Sequence, residues 1–194
     1  MQLINVIGNI GSGKSTFTDI LKSCLLETNL NVLVVDLDEI GHEVLKDEKV
    51  LNELMLEFGN FDNNKELANK AFADIANTKK LNEITHKHIL NKFLKILQEI
   101  KQKNVDYVLI EETACTGKDD AFIKLADTII CVYAHYEIRK KRCISRGMTK
   151  IDFKNRVAIQ QNYEVLQDLA DITVNNSGTS QQLKERCKEI VELL

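Results

Sequence analysis

The chain has five cysteines, Cys24, Cys115, Cys131, Cys143 and Cys187, and no CxxC pair among them. An odd number of widely spaced thiols argues against a disulfide framework or a zinc site, and for reduced cysteines in a cytoplasm. The four histidines supply no metal site either, since His86 and His88 lie two positions apart and would face different ways on a helix. No apolar run approaches the ~20 residues that span a bilayer. The opening MQLINVIGN has no basic region and no long apolar stretch, so a signal peptide is not expected. Excess basic charge is missing too: the formal net charge is −3, which argues against a dedicated nucleic-acid binder. Proline is absent altogether, a matter of composition more than of function. Repeats, low-complexity tracts and linkers do not occur. What remains is 194 residues, 44% of them hydrophobic and 28% charged, the make-up of one soluble domain with room for a small insert.

Apolar runs at 2–7 (QLINVI), 32–35 (VLVV), 105–110 (VDYVLI), 128–133 (TIICVY) and 170–174 (ADITV) are near-continuous rather than alternating. That is the pattern of parallel strands covered on both faces. Helical segments at 15–28, 135–146 and 179–194 lie between or after them, so the spacing predicts βαβ crossovers and a three-layer α/β domain. Residues 40–104 carry helical patterns and no convincing strand; Leu81, Ile84, Phe93, Leu97 and Ile100 form a broken apolar stripe there. This interval reads as a helical insert beside the sheet, and the polar stretch 147–166 as a short helical hairpin.

The stretch GNIGSGKST at 8–16 follows the first strand and opens the first helix. Its spacing, Gly8-x4-Gly13-Lys14-Ser15 with an additional Gly11, fits a phosphate-binding loop. Glycines let the chain curl so that successive amides, Ser12's among them, converge on one anion, and the helix start adds its positive dipole end. Lys14 can reach the β- and γ-phosphates, Ser15 can offer its hydroxyl to Mg²⁺, and Thr16 can add a contact near the α-phosphate. A nucleotide is therefore expected. Asp36 and Asp38 follow at the carboxyl end of the second strand, where open α/β sheets bind ligands. One carboxylate could orient and deprotonate an acceptor hydroxyl while the other holds water on Mg²⁺.

GNIGSGKST followed by VVDLDEIGHEVL (34–45) resembles the bacterial dephospho-coenzyme A kinases. LNEITHKHI (81–89) is similar to a family segment that has proline where Lys87 stands. RKKRCISRGMTKIDFKNRVAIQQ (139–161) is similar to its lid, and ADITVNNSGT (170–179) to its last strand and Asn-x-Gly turn. The resemblance covers most of the chain in the right order. It implies a P-loop kinase fold with a five-stranded parallel sheet: a core at about 1–40, 104–146 and 167–194, a helical acceptor-binding insert at about 41–103, and a lid at about 147–166. It implies transfer of the γ-phosphoryl group of ATP, with Mg²⁺, to the ribose 3′-hydroxyl of dephospho-CoA by a cytoplasmic monomer or weak homo-oligomer. Asp38 would face that hydroxyl and Asp36 would support it or the metal. His86 would contact the pantetheine-bearing substrate. Arg142, Arg146 and Arg156 would stabilise the transferring group, and Asn176 and Gly178 would turn beside the adenine. Residues 111–117, EETACTG, depart from the family's Pro-Leu-Leu-(Phe)-Glu, which helps shape the acceptor site, so that Glu111 or Glu112 would replace its acidic partner beside the substrate. Another small-molecule or nucleoside monophosphate kinase of the same architecture is the close alternative. A regulatory GTPase is disfavoured: Asp38-Glu39-Ile40-Gly41 fits Asp-x-x-Gly, but no Asn-Lys-x-Asp motif follows.

Overall fold

The computed structural model describes all 194 residues. In chain order the elements are β1 (Gln2–Ile7), α1 (Lys14–Glu27), β2 (Val32–Asp36), α2 (Leu37–Val44), α3 (Glu48–Phe58), α4 (Asn64–Ala71) and α5 (Ile75–Ile100), then β3 (Tyr107–Glu112), α6 (Ala121–Leu125), β4 (Thr128–Tyr133), α7 (Tyr136–Ser145), α8 (Lys150–Ile159), α9 (Tyr163–Leu169), β5 (Ile172–Asn175) and α10 (Ser180–Val191). The five strands form one parallel sheet in the order β2-β3-β1-β4-β5.

β1 is central and buried from Leu3 through Ile7. On one face Ile4, Val6, Leu109, Ile130 and Val174 pack with Phe17, Leu21 and Leu25 of α1 and Leu183, Cys187 and Ile190 of α10. A second cluster joins Ile7, Cys115, Ile123, Cys131 and Leu166. Both faces are thus covered, which is why the strands read as continuous apolar runs. All five cysteines are free and buried, filling space as small hydrophobes. Burial pushes the thiols of Cys131 up to about 11 and of Cys187 up to about 12, so both stay protonated and unreactive at neutral pH.

β3 differs from its sequence expectation at both ends. It begins at Tyr107 and runs on through Glu111 and Glu112, which stand in register with Val6 and Ile7 of β1. Two carboxyl groups are thereby carried into the buried sheet. The chain reverses its direction of strand addition at β1, flanked by β3 and β4, and ligands of such sheets bind at the carboxyl ends of the strands on either side of that switch.

The chain divides into two compact units, Met1–Asp36 with Ile100–Leu194, and Leu37–Glu99. The second unit is all helical. Asp47 caps α3 by accepting from Lys49 N, and Asn63 caps α4 by accepting from Lys65 N and Glu66 N, which satisfies amides at each helix start. Val50, Leu54, Leu67, Ala71 and Phe93 are buried. Of the stripe on α5, Phe93, Leu97 and Ile100 are buried while Leu81 and Ile84 are half-buried. The division after Asp36 puts Asp38 in the helical unit and leaves Asp36 on the sheet. No helix is long and apolar enough to cross a membrane.

Candidate phosphoryl-transfer site

The loop from β1 to α1 is built from its carbonyls outward. Gly11 has φ +75°, and a Cβ there would lie 2.6 Å from the Arg139 carbonyl and 2.8 Å from Cys143 Sγ, so the loop presses directly on α7. Gly13 has φ +91°, and its Cβ would lie 2.2 Å from Asn176 Nδ2. Any side chain at either position would lift the loop off its support. Asn176 Nδ2 donates to the Ser12 carbonyl at 2.8 Å, and Arg142 Nη1 donates to it at 3.1 Å and to the Gly11 carbonyl at 3.4 Å. Arg142 Nη2 donates to the Asn176 carbonyl at 2.9 Å, closing the network. A trans peptide directs its C=O and N–H to opposite sides, so fixing the Ser12 carbonyl aims the Gly13 amide the other way. α1 begins there without a side-chain cap and with no acidic residue in its first turn, which leaves its amides and dipole end available to an anion.

Lys14 is buried, and its Nζ donates to the Gly8 carbonyl at 2.7 Å. Ser15 Oγ donates to Glu111 Oε2 at 2.7 Å. Asp36 pairs with Glu111 across β2 and β3. Burial raises the Glu111 pKa above its ordinary value; the Ser15 hydrogen bond works against that, and the Asp36 charge adds to it. A hydroxyl and two carboxylates at adjacent strand ends form an all-oxygen donor set of the kind that suits Mg²⁺ with its water shell.

Adjacent strand residues point to opposite faces, so Glu112 takes a different environment. Its Oε2 accepts from Asn5 Nδ2 at 2.6 Å, and it shares a hydrogen bond with Asp120. Asp120 also accepts from Thr116 N and Oγ1 and caps α6 at Phe122 N. Ligand atoms of Glu112, Cys115 and Asp120 lie within 4.8 Å of one another. Burial, with the nearby Asp120 charge, pushes Glu112 up to about 8. At pH 7 it therefore keeps a proton and donates it to Asp120, while burial also holds the Cys115 thiol protonated.

This raised value has a thermodynamic sign. An unfolded glutamate loses its proton near ~4.3, so between there and about 8 the folded chain binds a proton that the unfolded chain has released. Stability contributed by this group is therefore full below that window and falls as pH rises through it. Glu112→Gln mimics the protonated acid and should abolish the fall. Thermal unfolding of variant and wild type should agree near pH 4 and diverge by roughly 5 °C or more at pH 8, the variant being the more stable. Parallel curves would mean that Glu112 ionises normally.

The remaining sequence-selected residues are distributed as follows. Thr16 is exposed in the first turn of α1. Arg142 is occupied by loop and turn carbonyls, whereas Arg146, at the C-cap of α7, and Arg156, in the last turn of α8, are exposed. Gly178 lies in the β5–α10 turn, where a Cβ would meet Gln182 Oε1 at 2.2 Å. Asp38, exposed in the first turn of α2, and His86, half-buried on α5, belong to the helical unit, where the neighbouring His88 pairs with Glu53 at 3.1 Å. Arg139, which in the run Arg139-Lys140-Lys141 reads as part of a solvated helix face, is instead buried, and its Nη1 donates to the Ile10 carbonyl at 3.4 Å. The glutamine at the end of the lid-like helix, Gln160, has a partner that the sequence did not reveal, its Oε1 accepting from Ile10 N at 2.9 Å.

The family model described as dephospho-CoA kinase matches residues 2–182. The chain belongs to the dephospho-CoA kinase family. It is 32% identical over its whole length to the dephospho-CoA kinase of Aquifex aeolicus, covering 98% of that protein. It is 31% identical to the dephospho-CoA kinase of Corynebacterium glutamicum, covering all of this chain and 98% of that one. Among solved structures it is similar to a crystallised Thermus thermophilus protein, with TM-score 0.76 and 25% identity over 100% of this chain and 97% of the other. The dephospho-CoA kinase of Campylobacter jejuni gives TM-score 0.62 at 23% identity, over 98% of this chain and 95% of that one. Shikimate kinase from Acinetobacter baumannii shares the fold, with TM-score 0.55 at 13% identity over 100% of this chain and 92% of the other. The five-stranded P-loop kinase sheet read from the sequence is therefore this family's fold.

Proposed function

We propose that the protein transfers the γ-phosphoryl group of ATP to the ribose 3′-hydroxyl of dephospho-CoA, giving CoA and ADP. The observation that carries this reading is the clamped phosphate loop, with Lys14 and the Ser15–Glu111 pair, in a chain of the dephospho-CoA kinase family. The acceptor oxygen forms a bond to the γ-phosphorus while the bond from that phosphorus to the β,γ-bridging oxygen breaks. ADP leaves with the electron pair, and the hydroxyl proton passes to the Asp38 carboxylate. The loop amides and the Lys14 ammonium hold the phosphates and meet the charge that develops on them. Mg²⁺ would be held by the Ser15 hydroxyl and, through its water, by Asp36 and Glu111, and would supply positive charge to offset that of the phosphates. Arg142 holds the loop, the exposed Arg156 is the guanidinium group that a closing 147–166 segment would bring to the phosphates, and the exposed Arg146 stands just before that segment at the end of α7. The helical unit with His86 receives the pantetheine-bearing substrate, and Asn176 and Gly178 form the turn on the adenine side. Buried, reduced thiols suit a cytoplasmic enzyme, working as a monomer or weak homo-oligomer.

An acceptor panel tests this. With ATP and Mg²⁺, dephospho-CoA should support ADP release and yield a product heavier by one phosphoryl group, while shikimate and AMP leave the rate at background. Preferential phosphorylation of AMP or shikimate would replace the acceptor assignment with that of another kinase of the same fold.

A further inference from the structure

Three segments far apart in sequence meet at one side chain. Gln160 is the C-cap of α8, half-buried, and its Oε1 accepts from Ile10 N in the phosphate loop at 2.9 Å. Its Nε2 donates to the Thr113 carbonyl, just past the end of β3, at 3.4 Å. The orientation of the carboxamide is fixed by chemistry: only oxygen can face an amide N–H, which turns the NH₂ toward the carbonyl. The Ile10 residue is held from its other side as well, because Arg139 Nη1 donates to its carbonyl. Gln161 Nε2 donates to the Thr116 carbonyl at 3.0 Å, and Thr116 is itself tied to Asp120. Thr113 lies two residues beyond Glu111, the acceptor of the Ser15 hydrogen bond, so a shift of the strand exit is passed directly to the partner of the phosphate loop's own serine.

We propose that Gln160 is a positioning residue for phosphoryl transfer, setting the tip of the phosphate loop and the exit of β3 against each other through one carboxamide. The inference rests on the phosphotransfer reading above. Because Gln160 ends α8, the same contacts anchor the 147–166 segment to both phosphate loop and strand exit, and any movement of that segment pulls on the two together. The task needs an acceptor and a donor on one short planar group. Glutamate supplies only the acceptor, and alanine supplies neither.

The test compares full-length wild type, Gln160→Ala and Gln160→Glu, well below their unfolding temperatures. Gln160→Ala should lower kcat by about 10- to 100-fold, with KM for ATP and dephospho-CoA each within about threefold of wild type, the pattern of reactants still bound but misaligned. Hydrogen exchange read by NMR should show the Ile10 amide and the amides of 113–116 losing protection together. Gln160→Glu should keep the Ile10 amide protected, loosen 113–116, and give an intermediate kcat. A purely structural role would lower the unfolding temperature without moving kcat, and that result overturns the proposal. So does an unchanged Ile10 exchange rate in Gln160→Ala. If wild type itself fails to phosphorylate dephospho-CoA, the acceptor assignment falls separately. The exchange data, which need no acceptor, then decide the coupling: joint loss of protection supports it and independent loss overturns it.

Discussion

Lys14→Ala should abolish turnover, reducing kcat by ~10²-fold or more, the usual scale for a charged group that meets developing charge in a water-poor site. The ammonium lies inside the loop, donating to the Gly8 carbonyl, and the side chain is only 7% exposed. A mobile point charge held there can follow the γ-phosphoryl group from ADP toward the acceptor, which fixed amide dipoles cannot. The fold should survive. The loop is carried by Arg142, Asn176 and the packing of Gly11 on α7, none of which depends on Lys14. Circular dichroism of the variant should therefore overlay wild type while ADP production disappears. Lys14→Met, which keeps the buried stem without the charge, should be equally inactive. More than about a tenth of wild-type kcat in either variant would remove Lys14 from the transfer step, since charge stabilisation on the scale above allows far less.

The phosphate loop was legible in the sequence because its information is local: spacing, glycines and a following helix suffice. The sheet was legible because both faces are covered, so its strands carry unbroken Val and Ile. The β3 exit was not. Glu111 and Glu112 look like the start of a loop, yet both are buried, one by meeting Ser15 and the other by keeping its proton beside Asp120. A pattern of apolar letters cannot reveal a carboxyl group that stays neutral. Nor could it say which glutamate faces the phosphate loop, because that depends on the register of β3 against β1. The contact of Gln160 was hidden for a different reason: its partner Ile10 is 150 positions away, and no local rule links them. Arg142, Arg146 and Arg156 all read in sequence as arginines serving the phosphates, but contact separates them. Arg142 spends its donors on three carbonyls, and Arg146 and Arg156 face solvent.

Asp36 and Asp38 show how far alternation can mislead. On a continuing strand they would share a face. β2 instead ends at Asp36, and Leu37, buried, begins α2, so Asp38 stands in the first turn of a helix. The two carboxylates therefore hold different stations, one beside Glu111 on the sheet and one exposed at the start of the helical unit. Asp38→Asn keeps size and hydrogen-bonding reach but removes the basic oxygen, so kcat should fall by roughly 10²- to 10⁴-fold, the contribution of a positioned general base. ATP affinity should barely change, because in the proposed reaction this residue addresses the acceptor hydroxyl rather than the nucleotide. Asp36→Asn should behave differently, weakening ATP binding in Mg²⁺ while altering nucleotide affinity little in its absence. Measured together, kcat and the Mg²⁺-dependent dissociation constant of ATP separate the two. If Asp38→Asn collapses ATP binding and leaves kcat intact, Asp38 belongs with the metal and Asp36 becomes the residue to test as base.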